Sequence, residues 1–333
     1  MQVTQINGKP DGVPANNDAY EFTFPFTTNY SRKMVMEEVS GTWCGWSARA
    51  LETMTQMKKL YPDNYLSIAI HVDGDNMAGT DPMGNVKNYD KISGKFDSYP
   101  NCLMSRLSYK DPNLPEIKQF VIENKDNAIA NISASAYFKS DKLSDVIVNT
   151  ETTFGFNDQI SDKYRIAYVV VEDQVGPYKQ SNAYSGQPQM QAPDDYLNVW
   201  VSKPESVEMK YDNIARGIFP HVNGAEGSIP NSIKKGEVCS YQYTLPLPSN
   251  IKNKKNIHII ALLMDSSTGE IMNAYDTYVS DSPSTAIREN IITEQTSYDI
   301  YDIQGRMVRH QTANFDGLPK GLYIIDGKKV VIK

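Results

Sequence analysis

The sequence predicts an α/β domain at its N-terminal end, an all-β sandwich after it, and a small β segment at its C-terminal end. Three observations carry that reading. Strand-like and helix-like hydrophobic patterns alternate as far as residue 128, the pattern of an α/β unit. Beyond residue 129 the helical period is lost, and alternating strand patterns separated by polar turns replace it. After residue 284 short apolar runs are joined by glycine turns. The 333 residues suit two domains with an appendage. The boundaries read as a loose polar arm over 1–18, the α/β domain over 19–128, the sandwich over 129–280 and the terminal segment over 284–333. SerAspSerProSerThr (280–285) serves as linker.

In chain order, residues 20–25 (TyrGluPheThrPhePro) form the first alternating run, and 33–39 (LysMetValMetGluGluVal) a longer strand. A turn at 40–43 leads into a helix whose apolar face is Ala48, Leu51, Met54, Met57 and Leu60. Residues 66–72 (LeuSerIleAlaIleHisVal) read as a buried strand, 86–97 as weakly amphipathic, and a further strand follows Pro100. Asn113 caps a second helix. Pro115 sits in its first turn, where a missing N–H costs nothing, and Ile117, Phe120 and Val121 form its apolar face. Strands follow at 132–138, 165–171, 241–247 and 257–264. Residues 174–195 read as a long structureless insert of the kind that carries function. The terminal unit has apolar runs at 301–308 and 318–333.

Composition excludes several classes. The formal net charge is −7 and no basic stripe occurs, which disfavours nucleic acid as a partner, since phosphates need clustered Lys and Arg. No apolar run is long enough for a membrane-spanning helix. Gly-Xxx-Ser-Xxx-Gly, Walker and dinucleotide signatures are absent, and no cofactor is expected. Three cysteines, Cys44, Cys102 and Cys239, cannot make a disulfide framework and leave at least one thiol free in a monomer. The first residues lack the basic start and apolar stretch of a signal peptide, which taken alone reads as cytosolic.

The most informative stretch is GlyThrTrpCysGlyTrpSerAlaArg (41–49). A strand ends, a Trp-Cys pair occupies the turn, and a helix begins. Unsatisfied amides and the positive end of the helix dipole favour thiolate at such a cysteine. Strand, Trp-Cys-Xxx-Xxx, helix, and a later strand entered through SerTyrProAsnCys (98–102) resemble the thioredoxin fold. That resemblance implies a cis Pro100 facing the cysteine turn, with Cys44 as nucleophile, Ser47 hydrogen-bonding its thiolate, Pro100 positioning substrate, and Trp43, Trp46 and Tyr99 shaping the site. The sequence departs from the thioredoxin pattern where Ser47 replaces the second cysteine. Cys44 can attack a disulfide, but Ser47 cannot resolve the product. Cys102 is the one nearby alternative resolver, and as free thiols Cys102 and Cys239 read chiefly as core residues.

A narrower resemblance covers nearly the whole chain. GluGluValSerGlyThrTrpCysGlyTrp (37–46), IleHisValAspGlyAspAsnMet (70–77) and TyrAspAsnIleAlaArgGly (211–217) are together similar to the Omp28-related family of Bacteroidetes. The tail, with TyrAspIleGlnGlyArg (301–306), LeuProLysGlyLeuTyrIleIle (318–325) and LysLysValValIleLys (328–333), resembles a type IX secretion sorting domain. The resemblance implies a thioredoxin-like domain joined to a β-sandwich. It also implies an exported protein, associated with the outer membrane or the cell surface, whose leader is not part of this sequence. The reading it favours is a binding or structural module of the envelope built on a degenerate Cys-Xxx-Xxx-Ser scaffold. The alternative is a monothiol exchange protein using Cys44.

Tyr178 and Tyr184, among the polar residues of the 174–195 insert, are candidate contacts for a protein or glycan partner, because tyrosine offers large area at low entropic cost. His71, Asp73, Asp75, Asn76 and Asp81 crowd one loop. Their spacing is not that of a calcium loop, and turn stabilisation accounts for them. The four histidines, His71, His221, His258 and His310, form no zinc spacing, so no metal is expected. AsnTyrSer (29–31) and AsnIleSer (131–133) match a glycosylation sequon that has no meaning in a bacterium.

Overall fold

The computed structural model describes residues 30–282 apart from 75–79, 85, 90–91, 93–95, 97, 127, 140–142 and 160–161, together with Thr28, 5–6, 9–10 and, near the C-terminus, 298–302, 306–312, 318, 321–325 and 328–332. Two compact units result, Met1–Pro283 and Ser284–Lys333.

In the first unit β1 (Gln5–Ile6) and β2 (Lys9–Pro10) form a minimal antiparallel pair. β3 (Met34–Ser40) leads through a short 3₁₀ turn (Gly45–Ser47) into α1 (Ala48–Leu60), followed by β4 (Tyr65–His71), β5 (Asn101–Met104), β6 (Ser108–Lys110) and α2 (Leu114–Asn124). Next come β7 (Ala130–Phe138), β8 (Asp145–Phe154), β9 (Tyr164–Glu172) and β10 (Val175–Ser181). The one-turn α3 (Asn198–Val201) precedes β11 (Ser206–Tyr211), β12 (Ile214–Phe219), β13 (Val238–Pro246), β14 (Ile257–Asp265) and β15 (Ile271–Ser280). In the second unit, β16 (Tyr298–Asp302), β17 (Met307–Thr312), β18 (Gly321–Ile325) and β19 (Lys328–Ile332) form a four-stranded sheet in the order β17-β16-β18-β19, with Ile300 and Tyr323 buried.

Eleven strands of the first unit make one mixed sheet in the order β13-β8-β7-β15-β14-β9-β12-β4-β3-β5-β6. β4 is parallel to both β3 and β12, β7 is parallel to β15, and the remaining neighbours are antiparallel. The central strands are apolar on both faces because both are covered: β3 is buried throughout, and β9 and β14 nearly so. On one face of β3 and β4, Met34, Met36, Tyr65 and Met104 pack under Met54 and Met57 of α1 and Ile117 and Val121 of α2. On the other, Val35, Val39, Ile68 and Ile70 meet Tyr89, Ile92 and Phe96. The outer strands β7, β8 and β13 alternate, burying Ile132, Val148, Phe154 and Leu245 on a second core shared with Tyr168 and Leu263.

The expectation of a thioredoxin-like α/β domain followed by a separate sandwich is overturned. Among the described residues the chain is mostly β, with three short α-helices, and its sheet does not stop near residue 128. β12 lies between β9 and β4, so strands distant in sequence complete the sheet that β3 and β4 begin. The βαβ unit of β3, α1 and β4 has a free flank that must be paired, and the chain fills it with a strand from residues 214–219. The two helices form largely as read. Asn113 accepts from the Glu116 amide at 2.9 Å with Pro115 in the first turn. α1 buries Ala50 and Thr53 together with Ala48, Met54 and Met57, whereas Leu60 is exposed because its face turns past the sheet. The 174–195 stretch is not structureless. It begins as β10, paired antiparallel with β11, and both carry a period-two pattern weakened by Gly176, Pro177 and Lys179. The strand expected at 20–25 lies outside the described residues.

Buried charge is paired across these joins. Arg216 of β12 and Glu172 of β9 meet at 2.7 Å with both side chains enclosed, and Glu172 also accepts the Lys252 and Asn253 amides. Arg106 clamps Glu37 with two bonds of 2.7 and 2.8 Å. His258 of β14 lies 2.5 Å from Asp276 and 3.5 Å from Asp173, under the stacked ring of Tyr278. Burial alone would lower the His258 pKa, but the hydrogen bonds and charges of the two aspartates outweigh it and raise it to about 9. Burial raises Asp173, but His258 and the Asn213 amide outweigh that and hold it at about 2.

The linkage follows. A raised histidine pKa contributes stability that is whole below about 6.5 and is lost as pH rises through about 9. The depressed Asp173 contributes above about 4 and loses its share as pH falls towards 2. His258→Gln should therefore cost roughly 3 kcal/mol at pH 6. That cost should shrink towards pH 10 in denaturant titrations run in parallel with wild type. A pH-independent difference would exclude a protonated His258 as the source.

Candidate functional site

The turn after β3 is held from four directions. The Cys44 amide donates to Gly41 O at 3.0 Å and the Ser47 amide to Cys44 O at 3.1 Å, which shapes the Gly45–Ser47 turn leading into α1. The Thr42 amide donates to Asp81 Oδ2 at 2.6 Å, and the Trp43 indole N–H to Val72 O at 2.9 Å. Trp43 also meets Tyr99 edge to face, with ring centroids 5.4 Å apart.

The fourth hold comes from the end of β10 and the insert that follows. Ser181 N donates to Thr42 O, Ala183 N to Gly45 O, and the buried Gln180 Nε2 to Cys44 O at 2.9 Å. Gln180 Oε1 accepts from Tyr211 OH at 3.2 Å. The Tyr211 ring lies edge-on to His71, and His71 Nδ1 lies 3.1 Å from Asp81 Oδ2, which closes the circuit back to the turn. Burial raises the Asp81 carboxyl, but His71 and the Thr42 and Met83 amides outweigh it and hold it below its ordinary value.

The insert is folded on itself. Asn182 is buried and donates to the Trp200 and Pro204 carbonyls at 2.8 and 3.1 Å, while its Oδ1 accepts from the Tyr184 amide. Tyr184, Leu197, Trp200 and Val201 form a small core that covers Ala48 at the start of α1.

The predicted residues thus fall into groups. Cys44, Ser47, Trp43, Trp46, Tyr99 and Pro100 converge on the turn, and the Tyr99–Pro100 peptide is cis. Cys44 is enclosed, with its thiol donating to Tyr99 O at 3.5 Å. Ser47 Oγ is buried without a hydrogen-bond partner among the described residues and does not engage the thiol. Trp46 is half exposed, its ring set edge-on to Tyr184. Tyr184, read as a surface contact, is buried under the insert, and Tyr178 packs on the α1-facing core. Cys102 is fully buried, directs its thiol to Lys110 O at 3.3 Å, and is pushed well up by burial and then by Glu38. Cys239 is also buried, and all three thiols are free. Of the crowded loop, Asp73 Oδ1 accepts the Asp81 amide and His71 pairs with Asp81, as turn-stabilising groups do; Asp75 and Asn76 lie outside the described residues.

Sequence reasoning missed Gln180, Asn182, Tyr211 and Glu38. Only Glu38 carried a signal, as one of two adjacent acids, with Glu37, inside an apolar run. It lies opposite Cys102 in the sheet and is fully buried. Burial pushes its carboxyl up to about 7, the nearby Ser40 hydroxyl and His71 pull against that rise, and Asp81 adds to it. Neither carboxyl oxygen has a well-formed hydrogen-bond partner among the described residues.

No protein-family model matches this sequence, and no curated protein matches it. Among solved structures, HBP35 of Porphyromonas gingivalis is similar, with a TM-score of 0.51 at 13% identity over 91% of this chain and 98% of that one. A domain of the outer membrane lipoprotein Omp28 from the same organism matches with a TM-score of 0.24 at 13% identity, over 46% of this chain and 91% of that one. The likeness to HBP35 is one of fold.

Two substitutions test this geometry. A Cβ on Gly45 would meet the Ala183 Cβ and backbone nitrogen at 3.0 Å, and neither can rotate away. Gly45→Ala should cost roughly 1–3 kcal/mol and speed alkylation of Cys44; unchanged stability would show that the insert is not seated on the turn. For Glu38 the raised pKa means that its stabilising share is whole below about 4.5 and lost as pH rises through about 7. Glu38→Gln should be neutral near pH 4.5 and stabilise by roughly 1–3 kcal/mol at pH 8.5, read from paired urea melts. Destabilisation at both pH values would refute a carboxyl held without a compensating partner.

Proposed function

We propose that this protein is an exported cell-envelope protein acting as a binding or structural module, in which the Cys44 turn is a packed support and not a nucleophile. The observation that carries the second half is the enclosure of Cys44. Its thiol is engaged by the Tyr99 carbonyl, its own carbonyl by Gln180, and the approach to the turn is occupied by the 182–201 insert. A thiol that exchanges with protein disulfides needs an in-line path to a sulfur and a resolving partner. Ser47 cannot resolve, and Cys102 is turned towards Lys110 on another strand. The envelope half rests on the sequence likeness at 37–46, 70–77 and 211–217, to which the fold shared with a Porphyromonas gingivalis protein adds support.

As a module, the chain would meet a protein or glycan partner where Trp46 and Val199 stand out beside the insert. The decisive comparison is wild type against Cys44→Ala in dithiothreitol-driven reduction of insulin. The two should match the uncatalysed rate, with melting temperatures that differ by no more than a few degrees. Acceleration by wild type that Cys44→Ala lacks would overturn the reading in favour of monothiol exchange.

A further inference from the structure

The two edges of the large sheet are built differently. β6 ends one side with three residues, the last a lysine, a short charged edge of the kind that resists further pairing. β13 ends the other with nine residues, paired to β8 from Val238–Thr153 through Pro246–Asp145 without a register shift. No bulge interrupts it, no charged residue occurs from Val238 to Asn250, and its one proline stands at the terminus. Among the described residues no strand pairs with its outer side. Such an edge is a template for another strand unless something disfavours it.

The order of side chains on β13 says which strand. Read from either end, ValCysSerTyrGlnTyrThrLeuPro has the same sequence of residue classes about Gln242. An antiparallel pairing with a second copy, centred there, sets Gln242 against Gln242, Tyr241 against Tyr243, Ser240 against Thr244, Cys239 against Leu245 and Val238 against Pro246. Aromatic faces aromatic, hydroxyl faces hydroxyl, and apolar faces apolar, the cross-strand pairs that stabilise antiparallel sheets. The burial pattern agrees: Cys239 and Leu245 point to the core side, while Ser240, Gln242 and Thr244 lie on the exposed side. A two-fold axis demands this self-complementarity, and an uncharged strand meets its own copy without repulsion.

We propose that β13 is the dimer interface of this protein, joining the sheets of two copies edge to edge about a two-fold axis at Gln242.

The test is sedimentation of the full chain over a range from about one to a few hundred micromolar. Wild type should show a monomer–dimer equilibrium. The Ser240→Lys, Gln242→Lys, Thr244→Lys triple variant sets three like-charge pairs across the axis and should weaken association by roughly tenfold or more. These positions are exposed, and Ser240 faces Glu151 of β8, so a native melt should confirm that the variant folds. As a second readout, Gln242→Cys treated with a short bis-maleimide should cross-link to itself beyond the wild-type background. Thr244→Cys should cross-link with Ser240→Cys but not with itself. A wild type that stays monomeric throughout overturns the proposal, as does a dimer that the triple variant leaves intact and Gln242→Cys does not capture.

Discussion

The join between β12 and β4 is the contact on which the rest of this molecule depends. At that line Ile214 stands opposite Ala69, and the Ala69 amide donates to Asn213 O at 2.9 Å. On its other side β12 is laddered to β9, with the Arg216–Glu172 pair sealed beneath the seam. The edge cannot be left open, because β4 is apolar on both faces and its backbone groups need partners. The consequence is cooperative. The helix-covered sheet and the outer strands share one hydrogen-bonded frame, and a change in either half is felt across the join.

The same seam places the candidate site. β10 and β11 leave the end of β9 and return just before β12, so the geometry that docks β12 also carries Gln180 and the insert onto the Cys44 turn. A circuit of side chains results, from the Cys44 carbonyl through Gln180, Tyr211, His71 and Asp81 to the Thr42 amide. Buried polar groups of this kind add definition only if each has its partner. Here Gln180, Tyr211 and Asp81 have theirs, while His71 Nε2 and both Glu38 oxygens have no well-formed partner among the described residues, and burial raises the Glu38 carboxyl to about 7.

Local chemistry was legible where it was self-contained. Asn113 and Pro115 mark a helix start because a cap and a first-turn proline act within four residues. Residues 165–171 and 257–264 announce strands through runs of β-branched and aliphatic side chains. The Cys44 turn was visible as a strand-to-helix junction with aromatic residues on either side. By contrast, β10 and β11 hide behind Gly176, Pro177 and alternating lysines and glutamates, because a ribbon half in solvent has little apolar pattern to show. Tyr184 looked like a surface residue for the same reason: polar neighbours in sequence say nothing about the small core that Asn182 organises.

What the sequence determined by itself is the set of elements with strong local signals, the convergence of Trp43, Cys44 and Ser47 on one turn, and the lack of a second thiol in that turn. Tertiary structure alone decided that β12 joins the outer strands to β3 and β4 in one mixed sheet, that Cys44 is covered, and that neither Glu38 oxygen has a well-formed hydrogen-bond partner among the described residues. The reason is physical. Caps, turns and periodicity arise from interactions within a few residues, whereas strand order and the solvation of a buried group depend on which distant segment fills a free edge or overlies a side chain. Ile214 meets Ala69 across more than a hundred residues, and no local pattern records that meeting.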